Sequence, residues 1–210
     1  MNHTTSRLRR PNAVGRVALF PLLVLIAACG SKYETKVTDS TAMTTPAGTA
    51  APAPATTGGA MEGMAMTGDA NRDFLRMMSD HHKGLIAMAH ETMEEGRGTA
   101  ESRGDAGKLD AQQDEELKQM VTMLDKDYKD PYEPKVIPAH RAMLDTLLAK
   151  SKDTYAPTFY RLVIQHHREA LTLIDAYLPR ATRPDLKAMA EQMRRDQARE
   201  IAEFTSKATP

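Results

Sequence analysis

One segment occurs twice in this 210-residue chain, and the spacing of its two copies constrains the fold more than any other feature. Residues 74–85, FLRMMSDHHKGL, align with residues 159–170, FYRLVIQHHREA, at an offset of 85. Both copies place Phe seven residues before a His pair and follow the pair with Lys or Arg. A second match lies at an offset of 84, where Gln113-Asp-Glu-Glu116-Leu117 meets Gln197-Ala-Arg-Glu200-Ile201. Each half therefore offers one segment with His-His and one with Gln-x-x-Glu. If each segment is a helix, each half is a hairpin with an apolar face too small to stand alone. Two hairpins packed on each other make a four-helix bundle with pseudo-twofold symmetry.

Hydrophobic periodicity supports helices throughout. Phe74, Met77, Met78, His81, Leu85 and Met88 recur at three- and four-residue spacing over Asn71 to Glu95. Gly96 to Gly107 reads as a charged, Gly-rich loop, and a second helix is expected from Leu109 to Tyr128. Pro131, Pro134 and Pro138 break the chain, and Ala139 to Lys150 forms a short helix. Pro157 is suited to the first turn of the next helix, which runs to about Leu178, and Pro184 to the first turn of the last. No alternating pattern suggests a strand. The expected class is all-α, duplicated hairpins in a four-helix bundle with a short connecting helix, occupying residues 69–206.

The preceding residues have another character. Arg7, Arg9, Arg10 and Arg16 precede the apolar run VALFPLLVLIAA, which at 12 residues is too short to span a bilayer. A basic start and a short apolar core read as an export signal over residues 1–28. The run ends on Ile26-Ala27-Ala28-Cys29, which resembles a bacterial lipobox, and Cys29 is the single Cys of the chain. Lipidation at Cys29 ties the protein to a membrane without a spanning helix. Gly30 after it fits the periplasmic face of the outer membrane in a Gram-negative cell envelope. Residues 29–68, rich in Thr, Ala, Pro and Gly, lack the large apolar side chains of a core and read as a disordered tether. The tether closes on Met61, Met64 and Met66, thioethers suited to a soft metal or simply drift in a low-complexity stretch.

Charge excludes some functions. The chain has 28 basic and 28 acidic residues; removing the four signal Arg leaves 24 against 28, a net charge of −4. Nucleic-acid binding lacks the basic excess it needs. The residue three before each of His81, His90, His140 and His166 is not Glu, so the Glu-x-x-His of di-iron bundles is absent. Zinc-protease, nucleophile-elbow and phosphate-loop motifs are missing too. An enzyme is the weaker reading, with redox chemistry at a bound metal its remaining form.

The candidate ligands are His81, His82, His166 and His167, with Met78, Glu116 and Glu200. Met77, Met88, Gln113, Gln197 and His90 stand further out, and His140 is a weaker, single His. Adjacent His cannot share one helical face, so the sequence leaves open which of each pair points inward. Imidazole with thioether favours copper over magnesium or calcium. The alternative is a structural or interaction module whose paired His are buried hydrogen-bonding residues. Protein partners are not readable.

FLRMMSDHHKGLIAMAHE with QQDEEL downstream resembles the DUF305 family, with its Phe-x-x-x-Met-x-x-His-His-x-x-Ala segment and Gln-x-x-Glu helix. The likeness covers about Asp69 to Phe204 and both halves. It implies a ferritin-like bundle, usually exported, with copper binding described for some members. It falls on Phe74, Met78, His81, His82, Gln113 and Glu116, then Phe159, His166, His167, Gln197 and Glu200, with Met143 between the halves. Val163 stands where the pattern has Met, and Gly84 is expected to replace its Ala. The expected function is a lipid-anchored, extracytoplasmic copper-binding or buffering protein without turnover.

Overall fold

The computed structural model describes residues 65–209. The signal segment, Cys29, Met61 and Met64 lie outside them, and Met66 is exposed at their start. The described residues form α1 (Ala70–Met93), α2 (Ala100–Tyr128), α3 (Pro138–Leu148), α4 (Lys152–Tyr177) and α5 (Pro184–Thr205), with a short 3-10 turn at Leu178–Arg180. Among the described residues there is no strand, and no helix is long and apolar enough to cross a membrane.

Local chemistry sets the ends. The Asp69 carboxylate accepts from the backbone N–H groups of Asn71 and Arg72 at 2.8 and 2.9 Å, capping α1. α2 begins earlier than its glycines suggest. Thr99 accepts from the Ser102 N–H at 3.1 Å while the Ser102 hydroxyl accepts from the Thr99 N–H at 2.9 Å. This reciprocal cap starts the helix at Ala100, so Gly104 and Gly107 lie inside it and the expected loop shrinks to a turn. α2 ends on Lys129 in the left-handed region, φ 51°. Its N–H and that of Asp130 return to Asp125 and Leu124 carbonyls. Pro138 and Pro184 occupy the first turns of α3 and α5, as expected. Pro157 does not start α4. The helix begins at Lys152, and Pro157 is its sixth residue, where the helix forgoes the one hydrogen bond that an N–H there would make to the Asp153 carbonyl.

α1 with α2 and α4 with α5 form the two hairpins. Their apolar side chains divide into two clusters. One holds Leu85, Met88, Leu109, Tyr155, Phe159, Val163 and Phe204. The other holds Phe74, Met78, Met120, Leu124, Leu173, Tyr177, Leu186 and Met193. Within the second, Phe74 stacks on Tyr177 at 3.9 Å, and the Tyr177 hydroxyl donates to Asn71 at 2.8 Å. Each long helix passes from one cluster to the other, and the residues between them are the motif positions: His81-His82, Gln113 to Glu116, His166-His167 and Gln197 to Glu200. The repeated motif thus forms a polar layer across the middle of an apolar bundle.

The connection between hairpins is pinned to α1. Asp130 receives Arg72 Nε at 3.0 Å and Arg76 Nε at 2.6 Å. Those two guanidiniums hold its carboxyl down at about 2. Buried Asp80 accepts from the Tyr132 hydroxyl at 2.8 Å and from the Lys135 N–H at 2.9 Å. The strap then delivers α3, and with it His140, onto the polar layer.

Candidate metal centre

Three imidazoles meet in that layer. Ring centroids of His81 and His166 lie 3.8 Å apart, those of His81 and His140 4.8 Å, and those of His140 and His166 4.6 Å. One nitrogen from each lies within 4.8 Å of the others. A triangle of that side puts its centre about 2.8 Å from each nitrogen, against the roughly 2.0–2.1 Å of a zinc–imidazole bond. Inward motion of less than about 1 Å per ring therefore closes the site on an ion of that size.

The rings are buried, His81 and His166 at 1% exposure and His140 at 0%. Burial, followed by the neighbouring imidazoles, pushes His81 and His166 well below the usual histidine value. Both are therefore neutral at pH 7, the form that offers a lone pair to a metal. The His81 carbonyl accepts from His166 Nε2 at 2.9 Å, which places the proton there and leaves Nδ1 of His166 as the free lone pair. Nδ1 of His166 and both nitrogens of His81 and of His140 find no hydrogen-bond partner. Buried polar atoms are nearly always satisfied, so this concentration of unpartnered nitrogens is itself a signal of a ligand site.

The second His of each pair has different surroundings. His82 Nε2 hydrogen-bonds Glu116 at 2.7 Å, and His167 Nε2 lies 2.8 Å from Glu200, each within its own hairpin. The twofold repeat thus reappears as two His–Glu contacts, of which that of His82 is a hydrogen bond while His167 Nε2 and Glu200 Oε2 only approach each other. Glu116 also receives Gln112 at 3.4 Å, and Gln113 and Gln197 are buried beside the dyads. These residues flank the triad and are not members of it. Met78 and Met88 are buried in opposite apolar clusters, and Met77 is buried as well. Exposed His90 pairs with Asp110 at 2.9 Å.

His140 is the residue that sequence reasoning undervalued. It lies outside the repeat, on α3, and its position is visible only once α3 is folded back. A signal was available. Gly84 does not fill the motif's Ala position, which falls on Leu85, but it is the small residue beside it, and a Cβ there would lie 2.6 Å from Cγ and 2.7 Å from Cβ of His140. The repeat partner of Gly84 is Glu169, whose Oε2 lies 3.4 Å from His140 Nε2. One duplicated position therefore flanks the inserted ring from both sides, by a missing side chain and by a carboxylate.

The family model for DUF305, described as a domain of unknown function, matches residues 24–124 and 100–207. No curated protein matches the chain. Among solved structures, CopM in the Cu(II)-bound form is similar with a TM-score of 0.58 at 24% identity, over 66% of this chain and 95% of that one. CopM in the Ag-bound form, obtained by co-crystallization, matches at 0.55 and 23%, over 65% and 93%. A DUF305 fragment from Deinococcus radiodurans matches at 0.58 and 25%, over 65% and 93%.

Proposed function

This chain belongs to the DUF305 family, and from that membership we propose that it is a metal-binding protein of the bacterial cell envelope, holding copper without turnover at His81, His140 and His166. The observation that carries the reading is the set of unpartnered imidazole nitrogens converging within 4.8 Å in the bundle interior. Copper is favoured by three nitrogen donors without a carboxylate among them, a set for late first-row ions rather than magnesium or calcium. The similar CopM structures hold Cu(I), Cu(II) or Ag, which supports an ion of the copper group. His82 and His167 act on the site through its neighbours: each lies against a Glu of its own hairpin and sets the position of the helix turn that carries a ligand. Lipid attachment at Cys29 and a periplasmic position complete the proposal.

Titration of metal-free protein with Cu(I) and Cu(II) in the presence of a competing chelator tests the site. One tight equivalent is expected, lost in His81→Ala/His166→Ala and retained in Met78→Leu. Equal binding by wild type and the double His variant would refute it. Labelling cells with a fatty-acid analogue tests the anchor, with signal expected from wild type and none from Cys29→Ser.

The His–Glu contacts favour a second reading, in which the layer only specifies how the hairpins pair. It predicts lower melting temperatures for the His variants with no dependence on metal.

A further inference from the structure

The triad is sealed, which raises the question of how an ion reaches it. Glu169 lies near a nitrogen of a triad histidine and reaches solvent at once. Its side chain is 35% exposed, while that of His140, 3.4 Å away, is fully buried. The separation is informative. Two ligands each about 2.1 Å from a tetrahedral ion stand about 3.4 Å apart. His140 Nε2 and Glu169 Oε2 thus already have the bite of a pair bound to one ion. That nitrogen has no hydrogen-bond partner, so no competing bond must break. The other Glu169 oxygen receives Gln165 Nε2 at 3.1 Å, which holds the carboxylate in place.

The surroundings do not attract cations in general. Glu169 lines a surface groove with Arg161, Gln165, Arg168 and Thr205. Arg161 is occupied by Thr158 at 2.8 Å and the Ala208 carbonyl at 3.0 Å, but its charge and that of Arg168 remain. A metal ion approaching this face finds its negative site in Glu169.

Resting on the triad reading, we propose that Glu169 and His140 form a solvent-side docking pair through which the metal ion passes to the buried triad. The ion is held first between Glu169 Oε2 and His140 Nε2. Rotation of the His140 ring then carries it inward, where His81 and His166 replace the carboxylate. Glu169 belongs to the path and not to the final ligand set, so its removal alters rates in both directions and leaves the equilibrium in place.

Stopped-flow mixing of the metal-free protein with Cu(II), followed by tyrosine fluorescence quenching, tests this, with release measured by chelator challenge. In Glu169→Gln, uptake and release should both slow about tenfold or more, the scale on which a local negative site raises cation association. Affinity at equilibrium should stay within about threefold of wild type. Glu169→Asp should recover part of the rate. Wild-type uptake in Glu169→Gln overturns the proposal. So does faster release with unchanged uptake, which would make Glu169 a ligand of the bound ion. If His81→Ala/His166→Ala takes up copper like wild type, the triad reading fails and the docking pair with it. Loss of binding in that variant beside a normal rate in Glu169→Gln removes the docking pair alone.

Discussion

Adding one methyl group at Gly84 should separate the bundle's stability from its ligand geometry. The added Cβ would stand 2.6 Å from Cγ and 2.7 Å from Cβ of His140. A swing of the ring relieves the first contact but not the second, because the His140 Cβ moves only with the backbone of α3. Restoring an ordinary carbon–carbon distance of about 3.5 Å requires α3 to shift outward by about 1 Å. Overpacking of this kind costs about 1–3 kcal/mol. Replacing a mid-helix Gly with Ala returns about 1 kcal/mol. Gly84→Ala is therefore expected to be destabilised by about 0–2 kcal/mol in urea unfolding. Its copper affinity should fall by about tenfold or more, the scale seen when a ligand's supporting contact is lost. Two internal controls exist. At Gly104 a Cβ meets nothing within 4 Å, and at Gly107 it meets only the Met93 sulfur at 3.5 Å. Gly104→Ala and Gly107→Ala should each gain up to about 1 kcal/mol with unchanged copper binding. If Gly84→Ala behaves like these two, contact with Gly84 does not hold His140 in the site.

Acidity should act on the metal-free protein in two windows. Burial lowers His81 and His166 below the unfolded value of about 6.5, so the unfolded chain binds more protons and stability is lost as pH falls below that point. Urea midpoints measured from pH 7.5 to 5.5 should drop for wild type and change less in His81→Gln/His166→Gln. Asp130, held near 2 by Arg76 and Arg72, stabilises the fold above about pH 4 and ceases to do so as pH falls toward 2. Asp130→Asn should cost about 2 kcal/mol at pH 7 and much less by pH 2, by thermal unfolding across that range. Asp80→Ala removes two hydrogen bonds to a buried carboxylate and should cost about 2–4 kcal/mol, with faster amide exchange at Lys135.

The bundle was legible because its signals are local or repeated. Apolar positions at helical spacing define the faces of α1, and the offsets of 85 and 84 pair its motif with that of α4 and the Gln-x-x-Glu of α2 with that of α5. Two boundaries were misread where side chains outweighed propensity. Thr99 and Ser102 start α2 ahead of two glycines, and α4 continues through Pro157 at the loss of a single hydrogen bond near its start. Within the site, His81 and His166 were readable from the repeat. The division of labour between neighbours was not, since only packing decides which ring of a pair meets the opposite hairpin and which meets Glu116 or Glu200. His140 was hidden by a different cause. Its partners are distant in sequence, and Gly84 on its own reads as a weak helix residue.

The place of His140 also bears on how such a protein arises. A twofold arrangement supplies ligands in even numbers: two copies of either hairpin, associating as a homodimer, would bring two inner imidazoles together and no third. The odd member comes from the segment that joins the halves, which exists once per chain. Covalent fusion of the hairpins is thus what brings a third imidazole to the cluster, and a chain cut within residues 129–137 but still associated should keep the bundle while freeing α3 to leave it.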